Sequence, residues 1–207
     1  MAAPAPASSH DPTTGPSWCA LLRGIGPGSP NMRNENLRAV FTDLGFDDVA
    51  SVISSGNIIF SADSGEVPHD GGALGSPERA SAEAHIQAAL HEALGIDGGT
   101  VLRSRAELES LVQAAPFGER EHSRATYLLA TFLKDPAAVQ DTVDLPTPPS
   151  STTELLGHHE PSAAVLSVTD TTAAKTPDVM VWLERAFGKQ ITTRTWRTVT
   201  RILAKMP

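Results

Sequence analysis

The sequence predicts an α+β fold of two ferredoxin-like halves that are joined by a helix and followed by a C-terminal helix. Short apolar runs rich in β-branched residues alternate with segments whose apolar residues recur at helical spacing. Their order, β-α-β-β-α-β, is that of the ferredoxin-like plan. The same order occurs twice along the 207 residues, without a matching repeat in the sequence itself.

The first half is predicted to span residues 18–103. Its predicted elements are a strand at 18–23, a helix around 37–44, a hairpin of strands at 49–53 and 58–60, a helix around 86–93 and a strand around 101–102. Gly45 and Gly95 are predicted to end the two helices, because glycine readily adopts the left-handed conformation that follows a helix. Residues 61–80, rich in glycine, serine and proline, are predicted to be a loop or an insertion.

A connecting helix and loop are predicted at residues 104–124, and the second half at 125–207. Ser104 and Glu107 have the spacing of a capping box at the start of the connecting helix. The predicted elements of the second half are a strand at 127–133, a short helix from Pro136, a weak strand near Leu155, a strand at 165–168, a helix that begins at Thr176 and Pro177, a strand at 191–194 and a final helix capped by Thr195. Residues 1–17, rich in alanine, proline and serine, are predicted to be a disordered arm.

Composition excludes several classes of protein. Cys19 is the single cysteine, so the chain forms neither an internal disulfide nor a multi-cysteine metal site. The N-terminus lacks the basic start and apolar stretch of a signal peptide, and no segment is apolar for the ~18 residues of a membrane span. We therefore expect a cytoplasmic protein without a membrane partner.

Charge is unevenly distributed along the chain. The net charge of −8 argues against a general nucleic-acid binder. Residues 185–207, however, contain six basic residues and no acidic residue. The C-terminus is therefore a basic patch on an acidic body.

The loop "GIGPGSPN" at residues 24–31 is a candidate binding site. In the predicted plan, the first and second strands run in the same direction, so this loop and the hairpin "SSGN" should emerge at the same end of the sheet. The residues expected to converge there are Arg23, Gly24, Gly26, Gly28, Asn31, Ser54, Ser55 and Asn57. Glycine amides, a helix N-terminus and an arginine fork all attract anions. The sequence therefore predicts a pocket for a small anionic or phosphorylated ligand, which Arg194 and Trp196 could complete.

A structural role for the same residues remains open. Gly56 and Asn57 can be the central pair of a two-residue hairpin turn, and Asn31 or Asn34 can cap the first helix. The loop contains neither the GxxxxGK[ST] nor the GxGxxG motif, so it carries no nucleotide-binding signature. We expect no cofactor.

Two stretches of the chain resemble a known family. The stretch "ALLRGIGPGSPNMRNENLRAVFTDLGFDDVASVISSGNIIF" resembles the N-terminal signature of the bacterial domain of unknown function 1697 family, and "TTRTWRTVTRILAKM" resembles its C-terminal signature. The resemblance extends over about residues 18–205. It implies an α+β fold built from two similar halves, and it implies no established activity.

The C-terminal helix is predicted to have an apolar face and a basic face. The apolar residues are Val199, Ile202, Leu203 and Met206, and the basic residues, four apart, are Arg197, Arg201 and Lys205. The basic stripe is either a solvated surface or a contact for nucleic acid. Trp196 is expected to pack against the core, although a tryptophan between two arginines also suits stacking on a base. Arg194 is expected to be exposed and to serve a ligand.

No catalytic or metal site can be identified from a local signature. His158 and His159 would lie on opposite faces of a strand, which is poor geometry for a shared metal. We find no Ser-His-Asp, Cys-His or paired-carboxylate signature. An anion-binding module is the leading hypothesis. The alternatives are an enzyme that uses the same cleft, a nucleic-acid-binding protein and a protein that dimerises through a sheet edge.

Overall fold

The structure is a computed structural model that describes residues 15–26, 28–54, 56–62, 67, 73–139, 147–148, 150–172 and 179–207. These residues form two four-stranded antiparallel sheets and five α-helices. The prediction of an α+β fold with two ferredoxin-like halves is confirmed. None of the helices in these ranges combines the length and the apolar composition needed to cross a bilayer.

The first half has the ferredoxin-like strand order β2-β3-β1-β4 with antiparallel neighbours. Its elements are β1 (Ser17–Leu22), α1 (Asn34–Asp43), β2 (Asp47–Ser51), β3 (Asn57–Ser61), α2 (Pro77–Leu94) and β4 (Thr100–Ser104). Gly45 and Gly95 follow the two helices with φ angles of +83° and +68°, as predicted. The two central strands, β1 and β3, are buried along their whole length.

Most boundaries of the first half differ from the prediction by one to three residues, and two elements begin inside segments that were predicted to be irregular. The first strand begins at Ser17, within the predicted arm, because Ser17 already pairs with Ser61. The second helix begins at Pro77, within the predicted loop, because the Ser76 hydroxyl accepts a hydrogen bond from the Arg79 amide (3.2 Å). A serine followed by proline is a helix-start signal that the apolar pattern alone does not reveal. Residues 1–14 lie outside the described residues.

The second half repeats the topology of the first, with the order β6-β7-β5-β8. The chain enters it through α3 (Arg105–Gln113), whose predicted capping box of Ser104 and Glu107 is confirmed. Its elements are β5 (Thr126–Leu133), β6 (Thr153–His159), β7 (Ala164–Asp170), α4 (Val179–Phe187), β8 (Ile191–Thr195) and α5 (Trp196–Lys205). The short helix predicted from Pro136 is a 3-10 helix, Pro136–Ala138. Thr176 and Pro177, predicted to begin α4, lie outside the described residues.

The core has three parts, and one of them belongs to both halves. The first lies between the first sheet and helices α1 and α2, and the third lies between the second sheet and α4. The middle part is formed by the facing sides of both sheets together with α3 and α5, and it includes Leu21, Val101, Phe132 and Val199. Because alternate residues of each strand point to opposite faces, both sheets are buried on two sides. The halves therefore share a hydrophobic core.

Candidate functional site

The ends of the central strands β1 and β5 are built alike. Leu22 ends β1 opposite Thr100, and the amide of the next residue, Arg23, donates to the Gly99 carbonyl oxygen (2.7 Å). The second half repeats this arrangement with Leu133 opposite Ile191 and the Lys134 amide donating to the Gln190 carbonyl oxygen (3.0 Å). Lys134 is therefore the structural equivalent of Arg23.

A cleft of about 230 Å³ lies between the halves where these strand ends face each other. We call it the inter-half cleft. Its described lining residues are Arg23, Gln87, Gly98, Gly99, Thr100, Val101, Lys134, Lys189, Gln190 and Ile191. This lining contains three cations and no acidic residue. Gly98, Lys189 and Gln190 are exposed, so the cleft is reached from solvent.

Each of the two equivalent cations reaches across to a carboxylate of the opposite half. Arg23 Nη2 lies 2.5 Å from Glu184 Oε1 on α4, and Arg23 Nη1 donates to the Lys189 carbonyl oxygen. Lys134 Nζ lies 3.3 Å from Glu83 Oε2 on α2. About a third of each cationic side chain is exposed, 34% for Arg23 and 27% for Lys134. Both cations are thus held in place while remaining accessible.

Glu83 is a buried carboxylate behind the cleft. Its Oε1 accepts a hydrogen bond from the Leu102 amide (2.9 Å), and burial raises the pKa of the carboxyl above its ordinary value. Glu83 is not among the lining residues, so its contact with the cleft is indirect. It is a positioning residue for Lys134.

The backbone at Gly98 packs directly against the end of β1. A Cβ atom built on Gly98 would overlap the Arg23 carbonyl oxygen and lie 2.7 Å from its carbonyl carbon. Only glycine permits this approach. We did not predict a role for Gly98 or Gly99, because they precede β4, whereas the predicted pocket comprised the loop after β1 and the hairpin after β2. The pairing of β1 with β4 brings Gly99 beside Arg23.

The structure confirms that the loop after β1 and the hairpin after β2 lie at one end of the sheet. The Leu22 amide donates to the Gly56 carbonyl oxygen (2.7 Å). The Arg23 side chain, however, extends toward the second half and not toward the hairpin. The described cleft therefore lies on the β4 side of β1, whereas the predicted pocket lay on the β3 side.

The other predicted loop residues have different surroundings. Gly24 is exposed with a φ angle of +76°, and the Gly26 amide contacts Met32 Sδ at 3.1 Å. Asn31 is exposed in the 3-10 turn Pro30–Met32. Ser55 lies outside the described residues.

Two of the structural roles left open by the sequence are not observed. The N-cap of α1 is Arg33, without a side-chain cap bond, and the Asn34 amide group instead donates to the Ile53 carbonyl oxygen (3.2 Å). The hairpin is not a two-residue turn. Val52 and Asn57 close a longer loop, because the Val52 amide donates to the Asn57 carbonyl oxygen (2.9 Å) and Asn57 Nδ2 donates to the Val52 carbonyl oxygen (3.0 Å).

Arg194 connects the second half to the end of β1. Its Nε donates to Asn57 Oδ1 (2.5 Å), and its Nη2 donates to the carbonyl oxygens of Leu22 (2.7 Å) and Gly56 (3.4 Å). Its Nη1 donates to Thr192 Oγ1 (2.8 Å) and the Thr193 carbonyl oxygen (2.9 Å). Burial lowers the pKa of the guanidinium to about 10. The guanidinium is therefore engaged within the chain, whereas we had expected an exposed arginine.

Arg103 makes the reciprocal connection from the first half. It is fully buried, and its Nε and Nη2 donate to the carbonyl oxygens of Ser162 (2.7 Å) and Leu133 (2.5 Å). Leu133 ends β5 as Leu22 ends β1, and Arg103 precedes the cap of α3 as Arg194 precedes the cap of α5. Burial lowers the pKa of Arg103 to about 10 as well.

The C-terminal helix packs as predicted. Thr195 caps α5 by accepting from the Thr198 amide (3.3 Å). Trp196 packs against the shared core and makes an edge contact with Phe117, with ring centroids 5.0 Å apart. In the basic stripe, Lys205 Nζ donates to the Ser51 carbonyl oxygen (2.7 Å), while Arg197 and Arg201 are exposed.

The described residues contain no group of His, Cys, Asp and Glu side chains that could hold a metal ion. His159 Nδ1 lies 2.8 Å from Ser162 Oγ, and burial lowers the pKa of both His158 and His159. Cys19 is fully buried, and desolvation raises the pKa of its thiol to about 12, so the thiolate is not available as a nucleophile near neutral pH.

The fold and the cleft define a class of protein, two ferredoxin-like halves in reciprocal contact around a basic cleft. The family model "Protein of unknown function (DUF1697)" matches residues 16–159, and the chain belongs to this family. The solved structure of a conserved bacterial protein from Streptococcus pneumoniae is similar, with a TM-score of 0.63 and 20% identity, covering 92% of this chain and 97% of that chain. At this identity the similarity concerns the fold alone. No protein with a curated description matches the chain.

Proposed function

We propose that this protein is a bacterial cytoplasmic module that binds a small anionic or phosphorylated ligand in the inter-half cleft. The observation that carries the proposal is the convergence of Arg23, Lys134 and Lys189 on one solvent-reached cleft with no acidic residue in its described lining. Arginine and lysine bind phosphate and carboxylate groups through charge-assisted hydrogen bonds. The single, buried cysteine is consistent with a reducing compartment.

The proposal retains Arg23 from the site predicted by sequence and places the ligand on the opposite side of β1. Lys134 and Lys189 replace Asn57 and Arg194 as ligand contacts, because the side chains of the latter two bind each other and the backbone. Glu184 is the group with which an anion competes for Arg23, since the two side chains are in direct contact.

A titration of the full chain with phosphate, sulfate and small carboxylates, followed by thermal shift, tests the proposal. A bound anion raises the melting temperature, and at 100 times its dissociation constant it adds ~2.7 kcal/mol of stability. Lys189→Gln should reduce this shift, because it removes a cation while leaving the Lys189 carbonyl that Arg23 uses. Glu184→Gln should increase it, because the competing negative charge is removed.

Arg201→Gln is the matched control, since Arg201 is an exposed cation on α5 that does not line the cleft. It should leave the shift unchanged. Equal loss of the shift in the Lys189 and Arg201 variants would show non-specific charge screening, and absence of any shift would refute the proposal.

A further inference from the structure

Arg23 and Lys134 lie at equivalent positions of the two halves, and both line the inter-half cleft. Each follows the central strand of its sheet, and each amide donates to the residue before the neighbouring edge strand, β4 or β8. Arg103 and Arg194 cross between the halves in the same reciprocal way. In a two-fold interface, a residue of one unit contacts a position of the other, and the equivalent residue of the second unit contacts the equivalent position of the first. The cleft is therefore associated with a pseudo-two-fold axis that relates one cation to the other.

The anchoring of these two cations is also reciprocal. Arg23 of the first half is held by Glu184 of the second, and Lys134 of the second half is held by Glu83 of the first. Each cation is therefore held by a carboxylate of the opposite half, and we call these two cations the arms of the cleft. A ligand with two linked anionic groups can pair with both arms at once.

The cleft is large enough for a diphosphate group. Its volume is about 230 Å³, and an inorganic pyrophosphate ion is smaller than this. A nucleoside diphosphate would place its phosphates in the cleft and its nucleoside beyond the exposed rim at Gly98, Lys189 and Gln190.

Building on the proposed function, we propose that the ligand of the inter-half cleft carries two linked anionic groups of the diphosphate class. One group binds Arg23 and the other binds Lys134, with Lys189 adding a third positive charge at the same cleft. Free diphosphate and the diphosphate of a nucleotide share this chemistry.

Isothermal titration of the full chain with pyrophosphate, orthophosphate and ADP tests the inference. Pyrophosphate should bind one to one and at least about tenfold more tightly than orthophosphate, because only it engages both arms. Tighter binding of ADP than of pyrophosphate assigns the groups to a nucleotide, and weaker binding assigns them to free diphosphate. Either result supports a ligand with two anionic groups, provided that pyrophosphate exceeds orthophosphate.

Variants of the two arms provide the second part of the test. Arg23→Gln and Lys134→Gln should each lower the affinity for pyrophosphate about tenfold, toward that for orthophosphate, because each leaves a single arm. Arg201→Gln is the control and should change neither affinity. If Lys134→Gln does not fold because Glu83 loses its cation, the double variant Glu83→Gln/Lys134→Gln removes the pair together and gives the same comparison.

The outcomes separate this inference from the proposed function. The two-arm ligand would be overturned if pyrophosphate and orthophosphate bound with equal affinity and neither arm variant changed the ratio of the two affinities. Anion binding in the cleft would then still stand. No binding of any of the three anions would overturn both.

Discussion

At the scale of single residues, Arg194 connects the two halves through its hydrogen bonds to Asn57 and Leu22. The five hydrogen-bond acceptors of its guanidinium are an amide oxygen, a hydroxyl and three backbone carbonyls, and no carboxylate is among them within the described residues. A partly buried cation that is held by neutral acceptors depends on their geometry, because there is no strong ion pair to compensate for lost hydrogen bonds.

Arg194→Met should therefore lower the free energy of unfolding by about 3 kcal/mol, because it removes the guanidinium donors to the Leu22 carbonyl oxygen and to Asn57 Oδ1. Urea unfolding followed by tryptophan fluorescence measures this loss. Arg194→Lys should recover only part of it, because an ammonium group lacks the planar fork of the guanidinium.

The control is Arg201→Met, an exposed site on the same half of the chain, which should change stability by less than ~0.5 kcal/mol. Similar losses in the Arg194 and Arg201 variants would contradict a specific role for Arg194.

Gly98 is a second residue whose substitution should affect stability, because a Cβ atom there has no room. Gly98→Ala should destabilise the protein by about 1–3 kcal/mol, because the added methyl group overlaps the Arg23 carbonyl and forces the end of β1 away from the segment before β4. Gly99→Ala is the matched control, since a Cβ atom there meets only Arg23 Cβ at 3.9 Å. Thermal unfolding compares the two variants, and an equal effect at both positions would contradict the role of the close approach.

At the scale of elements, we expect strand β6 to make stability depend on pH. Burial lowers the pKa of His158 and His159 below the ordinary value of 6.5, so the unfolded chain binds protons more readily than the folded chain as the pH falls below that value. The stability contributed by the neutral imidazoles is present above pH 6.5 and is lost as the pH falls through the folded-state pKa values.

The double variant His158→Gln/His159→Gln should therefore show a flatter dependence of unfolding free energy on pH between about pH 7.5 and pH 5. Urea unfolding at a series of pH values measures the slope. The pKa of His122 is also lowered by burial, so this residue contributes a remaining slope. A double variant with the same slope as the natural chain would show that β6 is not the source.

The basic stripe of α5 is the other prediction at the scale of elements. Lys205 is bonded to the Ser51 carbonyl, so nucleic-acid contact through this helix would rest on the exposed Arg197 and Arg201. Binding to short single-stranded RNA, measured by fluorescence anisotropy at low and moderate salt, should then fall steeply with salt. The double variant Arg197→Gln/Arg201→Gln should abolish it. No binding at low salt would remove this alternative.

At the scale of the whole molecule, the shared core and the reciprocal arginines make the halves interdependent. Separated halves would expose the apolar residues that face each other across the middle of the core, including Leu21 and Phe132. We therefore expect the chain to unfold in a single cooperative transition, although its topology is that of two repeated units.

Differential scanning calorimetry tests this expectation through the ratio of calorimetric to van't Hoff enthalpy, which should be close to one. Arg103→Met is expected to lower the melting temperature, because it removes hydrogen bonds between the halves. The transition should stay single, because the shared hydrophobic core remains. Two resolved transitions, corresponding to residues 18–103 and 125–207, would instead show that the halves are independent domains.

The amino-acid sequence was sufficient to predict the fold class, the order of the elements and the approximate position of most of them. These features depend on local physics: periodic apolar residues, the Ser104–Glu107 capping box, and glycines such as Gly95 that adopt positive φ angles. The resemblance to a family also implied two similar halves. The family model confirms the family, and the topology confirms the two halves.

The side of β1 that forms the cleft, and the engagement of Arg103 and Arg194 within the chain, depend on the tertiary structure. Arg23 and Lys134 have no shared sequence motif, and they become equivalent only after each central strand pairs with its own edge strand and the sheets pack together. Arg194 would be a solvated cation if the end of β1 lay out of reach. In the structure it donates a hydrogen bond to the Leu22 carbonyl oxygen at that end. Such properties arise from distances between residues far apart in the chain, which local patterns do not encode.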